Sequence, residues 1–123
     1  MTLRCVIVDD SPSVLRAAGA MLARQGVDVV GLASTTDEAV RLVRGLAPDV
    51  VLVDIALGSE SGFALVRELA GERGERSPPC ILMSTHDESD YASLIAESPA
   101  LGFISKADLS AQAIGRLLGE AGY

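Results

Sequence analysis

The chain has 123 residues and a net charge of −7, from 17 acidic against 10 basic side chains. That length suits one domain (residues 1–123) with one core, and the acidic balance, with no local Lys/Arg cluster, argues against direct binding of DNA or RNA. No segment approaches the roughly 20 apolar residues needed to span a bilayer, so no membrane partner is expected.

Hydrophobic residues make up 49% of the chain but aromatics only 3%, so the core must rest on aliphatic side chains. Met1-Thr2-Leu3-Arg4 leads straight into an apolar run without a secretory h-region, which makes cytoplasmic the expected location. That run, Arg4–Val8, reads as the first strand and ends at Asp9-Asp10. A helix is expected over Ser11–Arg24, with Ser11 as N-cap, Pro12 at the first helical position and a stripe of Val14, Leu15, Ala18, Met21 and Leu22. Gly26 is a plausible stop. A second strand, Asp28–Ala33, ends in uncharged Ala33-Ser34, as an edge strand away from a site would.

A helix over Thr36–Leu46 carries Ala39, Val40 and Val43, and Pro48 prevents its continuation. Asp49–Val53 is the third strand and ends at Asp54. Ser61–Ala70 is a third helix, followed by a charged loop, Gly71–Pro79, read as a solvated connector. Cys80–Met83 is the fourth strand and ends at Ser84. Glu88–Glu97 is the weakest helix, with Tyr91, Leu94 and Ile95. Leu101–Ile104 is the fifth strand, running through Ser105 to Lys106, and Leu109–Glu120 is the last helix. Cys5 and Cys80 both lie inside apolar runs without a CxxC spacing, so both read as buried free thiols.

A helix between every pair of strands implies right-handed crossovers and a parallel sheet covered on both faces. The strands accordingly lack strict in/out alternation. In such sheets ligands bind beyond the carboxyl ends of the strands. Four of the five strands end there in groups able to handle phosphate: Asp9 and Asp10, Asp54, Ser84 and Lys106. Adjacent carboxylates repel unless a cation is near, and three carboxylates suit Mg²⁺, which prefers oxygen donors. Asp9 and Asp10 alone would also suit a helix N-terminus, but that does not account for Asp54 or Lys106. Ser84 alone could be a turn or N-cap hydroxyl.

The motifs "VIVDD", "VVLVDIALGSESG", "ILMST" and "GFISK" together resemble a response-regulator receiver domain of two-component signalling, chemotaxis-type, over essentially the whole chain. The spacing between Asp54, Ser84 and Lys106 is the family's, and Gly62 matches its loop glycine. The resemblance implies a flavodoxin-like α/β fold: a doubly wound, five-stranded parallel sheet of order 2-1-3-4-5. It implies Asp54 as phosphoacceptor; Mg²⁺ held by Asp9, Asp10, Asp54 and the backbone carbonyl of Ala56, with Asp10 the favoured direct ligand; Lys106 pairing with the phosphoryl group; and Ser84 and Phe103 as switch residues. Thr85 competes with Ser84, but the strand end favours Ser84.

The implied activity is phosphoryl transfer from a histidine kinase or phosphotransfer protein to Asp54, followed by reshaping of a face read by a downstream output protein or domain. The chain would take part in its own phosphorylation and dephosphorylation without being a turnover enzyme. The outer edge of the last helix could also form a homodimer surface.

The sequence departs from the family at two places, Ala56 and Ala107. Ala56 stands where many members have Asn, Asp or Glu, so its side chain cannot position a hydrolytic water. His86 occupies another rate-tuning position. Ala107 replaces a common Pro, and the "KAD" run looks more like receivers fused to helix-turn-helix domains. Competing readings are a receiver fold that docks partners without phosphorylation, a haloacid-dehalogenase-type phosphatase and a flavin carrier. The phosphatase would want an acid at position 56, and the flavin carrier a Ser/Thr/Gly-rich loop after the first strand.

Overall fold

A computed structural model describes residues 2–73 and 77–123. In chain order the elements are β1 (Arg4–Val8), α1 (Pro12–Arg24), β2 (Asp28–Ala33), α2 (Thr36–Leu46), β3 (Val50–Asp54), β4 (Ala56–Leu57), β5 (Glu60–Ser61), α3 (Gly62–Arg73), β6 (Cys80–Ser84), α4 (Ala92–Glu97), β7 (Gly102–Ser105) and α5 (Ala111–Glu120). Five strands form one parallel sheet in the order β2-β1-β3-β6-β7. Counted without the two-residue strands β4 and β5, which pair as a separate hairpin, this is the 2-1-3-4-5 order of the flavodoxin-like receiver fold.

The sheet is covered on both faces, which is why its strands are apolar on both sides. Val6, Val8, Val51, Val53 and Leu82 pack toward α2 and α3, while Cys5, Ile7, Val50, Leu52, Ile81 and Met83 pack toward α1 and α5. Every residue of β3 and β6 is buried; β2 and β7, at the edges, are only partly so. Both cysteines are buried free thiols, and burial pushes each up to about 12.

Local signals fix most boundaries. The Ser11 hydroxyl accepts the Val14 N–H and Pro12 opens α1. Gly26 takes a φ of 92° after the helix ends. At the start of α2, Thr35 Oγ1 accepts the Glu38 N–H while Glu38 Oε1 accepts the Ser34 N–H. Its end is less usual. Ala47 is left-handed at φ 46°, its N–H donates to the Val43 carbonyl, and its own carbonyl accepts from the Arg4 guanidinium at 2.9 Å.

Several expected boundaries are corrected. β3 starts at Val50 and includes Asp54, β6 includes Ser84, and β7 is shifted one residue onward. Glu60 and Ser61 belong to the hairpin, so α3 starts at Gly62. It also runs through Gly71 to Arg73, so the front of the expected 71–79 loop is helical. The centre of that loop, 74–76, lies outside the described residues. Glu88–Tyr91 is a 3₁₀ turn rather than the first half of a helix. Neither it nor α4 contains a buried residue or a side-chain cap, so little tertiary packing holds a longer helix there. Lys106–Asp108 forms another short 3₁₀ turn, and α5 begins only after Ser110 caps it through the Ala113 N–H. No helix among the described residues is long and apolar enough to cross a membrane.

Candidate functional site

The parallel register brings the acids together. Val8 pairs with Val53 across β1 and β3, so the residues that follow them, Asp9 and Asp54, meet at the same rim. Asp9 is fully buried and Asp54 only 5% exposed, whereas Asp10 faces solvent. Carboxylate oxygens of all three lie within 4.8 Å of one another. Lys106, immediately after β7, reaches across the rim to them. Its Nζ is 2.7 Å from Asp9 Oδ2 and 3.0 Å from Asp54 Oδ2.

The two contacts differ. That with Asp54 is a hydrogen bond as well as an ion pair. Asp9 Oδ2 has the ion pair but no hydrogen bond, although it is shut off from solvent. The other Asp9 oxygen accepts the Ser11 N–H at 2.9 Å, and Asp54 Oδ1 accepts the Ala56 N–H at 3.3 Å. Three carboxylates thus face one ammonium. Burial raises the Asp54 carboxyl above its ordinary range; Lys106 opposes this, Asp9 adds to it, and the Ala56 N–H opposes it. Burial would lower Lys106, but Asp9 and Asp54 outweigh it, so its ammonium is held more firmly than usual.

Excess negative charge and clustered carboxylate oxygens at one rim fit a small, hard divalent cation. The arrangement also leaves Asp54 held through Oδ2 by the Lys106 ammonium and through Oδ1 by a single long backbone contact.

Ser84 ends β6 one residue beyond Met83, the partner of Asp54, and pairs with Ser105 beside Lys106. It is buried and its Oγ accepts the His86 N–H at 3.0 Å, whereas Thr85 and His86 are exposed. Phe103 pairs with Leu82, is half-buried, and packs against the α2/α3-side core. It also lines a cavity of about 380 Å³ with Asp87, Glu88, Arg116 and Leu117. The site therefore unites Asp9, Asp10, Asp54 and Lys106 directly, with Ser84 at the same rim and Phe103 below it on β7.

The residues after Asp54 are more ordered than their sequence suggests. Gly58 has a φ of 64° at the first turn position of the β4–β5 hairpin, the position that takes Gly in a II′ turn. Gly62 donates its N–H to the Ile55 carbonyl at 2.8 Å. A methyl group at Gly62 would overlap the Asp54 carbonyl oxygen and stand 2.9 Å from Ile55 Cα. Gly62→Ala is therefore expected to cost about 1–3 kcal/mol, read from denaturant unfolding. A stability equal to that of the unaltered chain would show that the segment can shift freely. Tyr91, given no role by the sequence, lies tilted to Phe63 (6.3 Å between ring centroids) and edge-on to His86 (6.1 Å).

Comparison with known proteins agrees with this geometry. Residues 5–115 match the family described as the response regulator receiver domain. The chain is 36% identical over 85 residues to protein PilH of Pseudomonas aeruginosa, covering 69% of each. It is 28% identical over 111 residues to the transcriptional regulatory protein LiaR of Bacillus subtilis, covering 89% of this chain and 52% of LiaR. The chain thus spans about half the length of LiaR and, at 50%, of the activator EvgA of Escherichia coli. Among solved structures, a LuxR-family two-component response regulator from Aurantimonas superposes with a TM-score of 0.85 at 30% identity, over 98% of this chain and 87% of that one. The BeF3-activated N-terminal receiver domain of Klebsiella pneumoniae RstA gives 0.79 at 28% identity, over 98% and 99%.

Proposed function

Because the chain belongs to the response regulator receiver domain family, we propose that it is the phosphoacceptor of a two-component relay, with Asp54 the residue modified. The observation that carries this reading is the buried Asp54 carboxylate held by Lys106 between two further carboxylates. A structural ion pair needs one acid; a site that must also hold a divalent cation, which offsets the charge of an incoming phosphoryl group, has use for this surplus.

An Asp54 carboxylate oxygen attacks the phosphorus of a phosphohistidine on the donor, a histidine kinase or phosphotransfer protein. The P–O bond forms as the P–N bond breaks, and the electron pair returns to the imidazole. Such transfer is mostly alignment and charge neutralisation. Lys106 supplies part of that neutralisation from the atom that already pairs with Asp54. Asp9, Asp10, Asp54 and the Ala56 carbonyl would hold Mg²⁺, which would supply the rest of that neutralisation. The acyl phosphate adds charge and acceptor oxygens at the rim. Ser84, whose hydroxyl now only accepts from the His86 amide, turns its own proton toward a phosphoryl oxygen.

Phe103 follows inward from its half-buried position, reshaping the α4–β7–α5 face and the cavity it lines. A downstream protein or domain, or a second copy of the chain, reads that face. The population of the two forms is biased by charge at Asp54. The chain changes state once per phosphoryl group and is not a turnover enzyme. On this reading it acts in the cytoplasm without nucleic acid or membrane as a direct partner; its net charge of −7 supports the absence of nucleic-acid contact.

The test is incubation with a small acyl phosphate, with and without Mg²⁺, followed by intact-mass measurement. A gain of one phosphoryl group that requires Mg²⁺ is expected. No gain under any condition would favour a receiver fold that only docks partners.

A further inference from the structure

Glu60 is exposed and lies outside the acidic cluster, yet it makes two contacts that tie the hairpin after Asp54 to a separate part of the fold. Its Oε2 accepts the Thr36 hydroxyl at 2.7 Å and its Oε1 accepts the Thr36 N–H at 3.1 Å. Thr36 is the first residue of α2, so the carboxylate satisfies an N–H that the helix leaves without an internal partner and sits where the helix dipole favours negative charge. The same two donors hold the Glu60 carboxyl below its usual range.

The other end of the linkage is the site itself. Glu60 pairs with Leu57, and Ser61 with Ala56. Ala56 donates its N–H to Asp54 Oδ1. Leu57 is buried beneath the hairpin, and the chain beyond it is closed by the Gly62 N–H on the Ile55 carbonyl. One carboxylate thus ties α2 to the short segment that sets where the Ala56 backbone stands relative to Asp54.

We propose that Glu60 is a positioning residue: by anchoring the 56–61 hairpin to the N-terminus of α2, it holds the Ala56 backbone in place for cation binding beside Asp54. This rests on the reading of the site given above. It requires Glu60 to act through Thr36 and the hairpin, without touching the cation.

The test compares the whole chain with Glu60→Ala, Glu60→Gln and Thr36→Val by calorimetric titration with Mg²⁺, and by amide hydrogen exchange of residues 56–62 in metal-free protein. Glu60→Ala should weaken Mg²⁺ binding roughly ten-fold, the effect typical of groups that orient a ligand, and speed exchange across the hairpin. Glu60→Gln, which keeps an oxygen for the Thr36 N–H, should recover most of both, and Thr36→Val should fall between. Unchanged Mg²⁺ affinity in Glu60→Ala, with faster hairpin exchange or a lowered melting temperature, would overturn the proposal and leave Glu60 a structural contact. If the unaltered chain takes up no Mg²⁺, the functional reading fails as well. The two failures are separated by whether the unaltered protein binds.

Discussion

Asp54→Asn is expected to abolish phosphoryl uptake while making the metal-free protein more stable at neutral pH. The loss of uptake should be complete within detection, because the amide oxygen is a far weaker nucleophile than a carboxylate and the neighbouring groups cannot replace it. The stability gain follows from the sign of the Asp54 shift. Burial raises its carboxyl above the ordinary value of 3.8 despite the Lys106 contact. A raised acid favours the folded state at low pH, where it is protonated in both states. That contribution disappears as pH rises through the folded value. Asparagine is neutral throughout and loses nothing. Melting curves in chelator should therefore coincide near or below pH 3.8, with the variant's advantage growing from there toward neutrality. A variant less stable than the unaltered chain at pH 7 would mean that the Lys106 pair outweighs burial.

Lys106→Met carries the second large effect. Its ammonium is the one cation that reaches both Asp9 and Asp54 among the described residues. Methionine keeps much of the apolar stem that lines the groove with Val14, Met21 and Leu109, so the change is mainly one of charge. Asp9 would remain fully buried with no cation beside it. Removing one member of a buried pair costs about 3–5 kcal/mol; the partial exposure of the lysine side chain, 19%, reduces this to roughly 2–4 kcal/mol in chelator. Millimolar Mg²⁺ should return part of that loss, since the carboxylates would then share a different cation. Phosphorylation should slow by about 10²-fold or more, the usual cost of removing one group that neutralises transition-state charge. Equal destabilisation with and without Mg²⁺, measured by denaturant unfolding, would contradict the idea that cation and lysine serve the same cluster.

Much of this was legible in the sequence because parallel sheets report themselves in two ways at once. Runs such as "VVLV" and "CILM" are apolar on both sides, and their polar successors fall on one rim because β1 and β3 pair level at their carboxyl ends and β6 runs only one residue further. The meeting of Asp9, Asp10, Asp54 and Lys106 follows from that, whereas the strand order rests on the resemblance to receiver domains. The β4–β5 hairpin did not show, since two-residue strands are too short for any periodicity. Only Gly58-Ser59, a Gly-X pair suited to a two-residue turn, marked it. The helical spacing of Tyr91, Leu94 and Ile95 predicts a helix that takes in Glu88–Tyr91; the segment forms a 3₁₀ turn instead because it lacks the burial that would make the spacing count. Glu60 was invisible for a different reason. Its partner Thr36 is distant in the chain, and contacts between exposed residues leave no pattern in a single sequence.

The most direct measurement is to locate the modification. Treating the phosphorylated protein with borohydride reduces an aspartyl phosphate to homoserine, and tryptic cleavage after Arg44 and Arg67 isolates residues 45–67, which include Asp54. Homoserine at position 54, formed only when phosphodonor and Mg²⁺ were both present, is the predicted result. Homoserine at Asp9 or Asp10 instead, or none anywhere in a protein whose mass had risen, would contradict the account.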